Sequence, residues 1–155
     1  LFVGKNHENF SSTIVEGRGL QTQWSPSGKK LLYSVFNPNS DFKPELWIVG
    51  GAPGSIGTGR KPLKVTTFAP KCTFGDERFV YCGVPTDMPV GAGFGPEIAN
   101  ESPDRLYKID TVTGRYEEIP LDRNDHVIQN VFVDAQTNTL FFTDVFEQGL
   151  FSVAL

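Results

Sequence analysis

Residues that most often carry chemistry are scarce in this chain: of 155 positions, two are histidine, two cysteine and one methionine. His7 falls in an N-terminal turn and His126 follows Asp125 in a polar link. Neither stands at metal-ligand or triad spacing from other candidates, and no serine sits in a G-x-S-x-G elbow. The sequence therefore points to no catalytic residue, no metal and no cofactor. Long apolar runs are missing as well. Nothing approaches the ~18 consecutive apolar residues of a membrane helix, and no charged-then-apolar signal segment opens the chain, so membrane insertion is not expected. Basic excess is also lacking: 14 Lys and Arg against 18 Asp and Glu give a net charge of −4. That balance offers no electrostatic reason to expect nucleic acid or an anionic membrane as partner.

A phosphate loop is suggested and then excluded by LWIVGGAPGSIGTGRKPLKV, residues 46 to 65. Gly54 and Gly59 have Walker spacing, but Arg60 stands where Lys belongs and Lys61 where the magnesium-binding hydroxyl belongs. The loop must also open a helix, whereas Lys64, Val65, Thr66, Thr67 and Phe68 continue with β-branched and aromatic residues. It reads as a glycine loop between two strands.

What is present is β structure. Thirteen phenylalanines, many Thr and Val, and short alternating runs bounded by Gly, Pro, Asn and Asp leave no amphipathic helix. With 39% hydrophobic and 21% charged residues the chain is the size of one domain with a packed core. Three segments repeat one hairpin: LQTQWSPSGKKLLYSV from residue 20, PKCTFGDERFVYCGV from residue 70 and NVFVDAQTNTLFFTDV from residue 130. Trp24, Phe74 and Val133 precede a small polar turn, and the apolar triplets 31–33, 79–81 and 140–142 follow it. The first and third copies align without a gap, and the second has a turn two residues shorter. ELWIVG, RLYKID and GLFSVA supply third strands, and PLKVT and YEEIP supply fourth strands to the first two copies. Antiparallel four-strand units in tandem are the pattern of propeller blades.

WSPSGKKLLY resembles the WD40-like propeller repeat of TolB-type proteins, and VDAQTNTLFFTD resembles a weaker copy, with Ser27, Gln136 and Thr137 departing from the usual turn residues. The resemblance implies an all-β fold of about three propeller blades, a partial or half propeller. Blades span residues 20–65, 66–120 and, incompletely, 121–155, while residues 1–19 resemble the last strands of a preceding blade. A ring needs about 4 to 8 blades. The expectation is therefore a chain excised from something longer, as Leu1 suggests, or two copies forming a homodimer that completes the propeller. Trp24 is expected to lie buried between sheets.

In such a unit the second-to-third strand loops share one face with the links between blades. FNPNSDFKPE (36–45) and GVPTDMPVGAGFGPEIANES (83–102) fall there, and long loops without secondary structure are disproportionately functional. Asn37, Asn39, Asp41, Phe42, Asp87, Met88 and Phe94 are the candidate binding residues, with Phe42, Met88 and Phe94 expected near solvent. The alternatives are a flexible excursion, or loops that pack against each other or against a missing blade. Asp76, Asp110, Asp134 and Asp144 fall at turns or strand ends, where Asp bonds local backbone. Cys72 and Cys82 flank the second hairpin. A three-residue turn, Asp76 to Arg78, sets them face to face for a disulfide, a two-residue turn makes them diagonal, and buried free thiols are the default.

The TolB resemblance implies a non-enzymatic module that binds a protein or peptide through its loop face in the periplasm or outside the cell. The competing expectation is a propeller segment of a hydrolase, either gating a peptidase or holding calcium in a lactonase or esterase.

Overall fold

The computed structural model describes residues 2–3 and 11–155; His7 lies outside them. Among the described residues the architecture is all-β, with three antiparallel sheets of four, four and three strands and one short strand pair. The pair joins β1 (Phe2–Val3) to β2 (Ser11–Ser12), each two residues long, within the 1–19 segment expected to resemble the last strands of a preceding blade. The first sheet is a meander of β3 (Arg18–Trp24), β4 (Lys30–Phe36), β5 (Glu45–Gly50) and β6 (Lys61–Thr66). The second repeats that order with β7 (Cys72–Phe74), β8 (Phe79–Pro85), β9 (Asp104–Asp110) and β10 (Tyr116–Ile119), and the third stops at β11 (Ile128–Asp134), β12 (Thr139–Asp144) and β13 (Phe151–Ala154).

The sheets stack face to face. Leu32, Leu46, Ile48, Leu63 and Val65 of the first meet Cys72, Phe74, Val80, Cys82 and Ile109 of the second. On the other side Tyr81 and Leu106 of the second meet Val131, Leu140 and Phe142 of the third. A strand covered on both sides needs apolar residues in succession rather than alternation, which is why KLLYSVF in β4 is buried from Leu31 onward. Edge strands carry the opposite signature: β6 tolerates Pro62, and β10 exposes Glu117 and Glu118, paired with Lys108 at 3.8 Å and Arg105 at 3.7 Å.

Register brings one correction to the repeat. Trp24 pairs with Leu31 and Val133 with Leu140, but Phe74 pairs with Val80, so the second turn is one residue shorter, not two. A one-residue slip exchanges the faces of a strand. The structural equivalents are therefore 31–33, 80–82 and 140–142. Leu32 and Tyr81, in the middle positions, each point into the following sheet, and Phe141 holds the same position in the third.

Trp24 is also misplaced by the sequence reading. It lies over Gly51, where a Cβ would stand 2.4 Å from the indole, and remains 43% exposed. The hairpin beyond it is closed by Ser25, whose hydroxyl accepts from Lys30 N at 3.1 Å, and by Gly28 at φ 71°, a conformation that glycine adopts without steric cost.

The second hairpin has the three-residue turn. Cys72 and Cys82 are direct partners and form a disulfide, rather than remaining free thiols. The expected carboxylate caps are all in place. Asp76 accepts from Arg78 N, Asp110 from Val112 N, Asp134 from Gln136 N and Asp144 from Phe146 N, at 2.7 to 2.9 Å. The Arg78 guanidinium, clamped on Asp110 at 3.1 and 2.7 Å, holds that carboxyl well below the usual carboxylate range.

Candidate binding face

The β4–β5 loop and the β8–β9 loop emerge together from neighbouring sheets. Asn37 caps the short 3-10 turn Pro38–Ser40, accepting from Asn39 N at 2.8 Å, and leaves Asn39 exposed. Asp41 and Phe42 follow in left-handed backbone, at φ 53° and 56°. That turn aims both carbonyls outward: Asp41 O accepts from Gly91 N at 3.0 Å and Phe42 O from Gly93 N at 2.9 Å. Gly93 is obligatory there, because a Cβ would fall 2.3 Å from the Phe36 ring. The two loops are thus one surface, joined as if by a short strand pairing.

The second loop is not a structureless excursion. Asp87 N donates to Ser102 Oγ at 2.8 Å and Thr86 N to Pro103 O at 2.8 Å, closing the loop at its base. Two 3-10 helices, Ala92–Phe94 and Pro96–Glu101, fold the rest over a small core of Phe68, Met88, Ala92 and Ala99. Met88 is therefore a core residue, 6% exposed, and not the solvent-facing contact that its place in a long polar loop suggests. A loop of this length satisfies its backbone only by turning in on itself, and that requires its own apolar centre.

Of the remaining candidates, Asp41, Asp87 and Asn39 are exposed, Phe42 is half-buried and Phe94 is 61% exposed. Phe94 is held from two sides, edge-on to Phe36 at 4.8 Å and tilted against Phe42 at 5.1 Å. Val90, unremarked in the sequence, is 70% exposed on the same loop. Its signal was available as an apolar residue between Pro89 and Gly91. The glycine loop, by contrast, emerges on the opposite face beside the first hairpin, with Gly51 N donating to Lys29 O at 2.9 Å.

Beneath this face lies a buried ionic cluster that sequence spacing did not reveal. Lys71 Nζ donates to both oxygens of Asp104, at 2.8 and 2.7 Å, and Ile128 N donates to Asp104 Oδ2 at 2.6 Å. Burial, opposed by the Lys71 ammonium and the Ile128 N–H, pushes the Asp104 carboxyl up to about 6. His126, fully buried, sets Nδ1 3.1 Å from Asp144 Oδ2 and Nε2 3.3 Å from Asp122 Oδ1, with Phe142 and Phe151 edge-on to its ring. Burial raises the Asp144 carboxyl, but the N–H groups of Phe146 and Val127 and the His126 ring together hold it below the usual range. Every oxygen of Asp104 and Asp144 is engaged by a fixed donor. The cluster fastens the 121–127 link to β9 and β12. Among the described residues no three His, Cys, Asp or Glu converge as metal ligands, and no helix is long and apolar enough to cross a membrane.

No protein-family model and no curated protein sequence matches the chain.

Proposed function

We propose that the chain is a non-enzymatic segment of a β-propeller, of the WD40-like TolB type, that binds a protein or peptide partner through the 36–45 and 86–102 loop face. The observation that carries this reading is the fusion of the two loops into one preformed surface. Gly91 and Gly93 bond the first loop while Phe94 and Val90 stay outside it. Exposed aromatics on a rigid support bind at low entropic cost, because little must be ordered on contact. Three consecutive meanders, the first two sending equivalent positions into the next sheet, support the blade assignment. The disulfide buried between the first two sheets supports an extracytoplasmic home, since such bonds persist where the environment is oxidising.

Replacing Phe94 and Val90 together by Ser tests the face. Both side chains are more than half exposed, so the variant should keep the fold, with a melting temperature lowered by no more than the loss of the Phe36 and Phe42 ring contacts. Proteins captured by the immobilised parent and identified by mass spectrometry should be lost on the variant. An identical capture profile would remove the loop face as the binding surface.

A further inference from the structure

Where β3, the turn before β7, and β11 converge beside the Pro96–Glu101 helix, they enclose a cleft of about 220 Å3. Phe68 and Ile128 give it apolar walls, and Gln21, Gln129, Asn100 and Glu97 bring polar groups from three separate elements. None of these four side chains is fully engaged by the fold. Gln21 Oε1 is fully buried and accepts no hydrogen bond among the described residues. The side chains of Asn100, Gln129 and Glu97 likewise have no hydrogen-bond or ion-pair partner among them. A buried acceptor left unpaired costs about 1 to 3 kcal/mol, so Gln21 Oε1 calls for a donor from outside, at a mouth where Glu97 and Gln129 stand exposed.

The sign of the charge narrows the class. Lys71 also lines the cleft, but both oxygens of Asp104 hold its ammonium. The unpaired charge is the Glu97 carboxylate. An anion would meet that carboxylate with no free cation in the lining to offset it, and a neutral polar group would bond the amides without drawing on the charge of Glu97. A cation rich in donors answers both needs. The guanidinium, planar and carrying five N–H groups, pairs a carboxylate and side-chain amide oxygens in one plane where an ammonium cannot. The chain's net charge of −4 favours the approach of such a group.

We propose that this cleft receives an arginine side chain presented by the partner. The proposal rests on the loop-face reading for the existence of that partner, since Pro96, Glu97 and Asn100 belong to the same loop as Phe94, but the cleft's chemistry stands apart from it.

The test is a nuclear magnetic resonance titration of the 15N-labelled chain with N-acetyl-arginine N-methylamide, beside its lysine and citrulline counterparts. The arginine probe should shift the side-chain amide signals of Gln21, Asn100 and Gln129. Citrulline, of the same shape without charge, should not, and lysine should act more weakly. Glu97→Gln, an exposed change that keeps the fold, should weaken arginine binding about tenfold, the loss of one charge-assisted contact. A citrulline response equal to that of arginine, no shift at the highest soluble arginine concentration, or an unaffected Glu97→Gln variant would each overturn the proposal. An equal lysine response overturns the guanidinium assignment. Arginine shifts that persist when the Phe94 and Val90 variant captures the same proteins as the parent remove the loop-face reading alone. Loss of the shifts with capture still dependent on Phe94 removes the cleft alone.

Discussion

Lys71 and Asp104 are the residues whose positions depend most on each other. Both are buried and stand 33 positions apart in the chain, yet they meet at 2.7 Å where the second sheet receives the third. A buried ion pair adds little beyond an apolar pair, whereas removing one member strands the other and costs about 3 to 5 kcal/mol. Lys71→Met should therefore lower stability at pH 7 by about 3 kcal/mol. Acid should relieve the loss. With the Asp104 carboxyl at about 6 in the native protein, above its ordinary 3.8, the folded state holds the proton more tightly than the unfolded chain does. Such a group's contribution is present at low pH and lost as pH rises through the folded value. Without the Lys71 charge that value climbs further, so the deficit in the melting temperature should shrink from pH 7 to pH 5. A deficit that grows on acidification would contradict a stranded carboxylate. Sequence spacing had no means of finding this pair. Lys71 follows a proline in a turn and Asp104 opens a strand, and ordinary surface residues read the same way. Trp24 fails in the other direction: a large aromatic before a turn signals a core position, but Gly51 gives its ring a shelf at the margin of the sheet.

Hairpins were the legible elements, because their period of two and their turn residues are local properties. The loops between them were legible only as excursions. The folding of the second over Phe68 and Met88 needs a contact between a link joining two sheets and a loop about 20 residues later, which no periodicity encodes. The disulfide belongs to the same scale. β7 has only three residues, too few to fix its register by backbone bonding alone, and it is the Cys72–Cys82 bond at a directly paired position that ties it to β8. Loop-closure entropy for a separation of 10 residues puts the contribution at about 2 to 3 kcal/mol. Cys72→Ala with Cys82→Ala should then lower the melting temperature by about 4 to 12 °C at this chain length. The far-UV circular dichroism should be unchanged, since the sheet ladder itself stays. A variant that melts with the parent would mean that core packing between the first two sheets already fixes β7.

At the scale of the whole molecule the outer faces of the first and third sheets differ. The outer face of the first sheet, Leu31, Tyr33, Val35 and Val49, is buried with Val15 packed on it. Phe132 and Phe141 stack at 5.2 Å on the outer face of the third sheet, and Phe132 remains 45% exposed. In the first sheet the same paired positions are Gln23 and Leu32, and in the second Thr73 and Tyr81. Gln23 bonds Cys72 O of the next sheet at 3.2 Å, and Leu32 is buried against it. An exposed and a half-buried phenylalanine at a position twice used for sheet-on-sheet packing call for a further sheet. For the isolated chain, the nearest supply is a second copy. Light scattering over a concentration series should give a mass rising from 17.1 kDa towards twice that value, and Phe132→Lys should hold it at the monomer, because a charge on this face cannot be buried against another sheet. A parent that stays monomeric throughout would mean that two copies do not offer each other a matching face, and that the sheet packing on Phe132 and Phe141 comes from a different chain segment. Either mass decides where the rest of the proposed binding face is to be sought: across a dimer, in which two loop surfaces would act together, or on one open stack whose Phe94 loop would act alone.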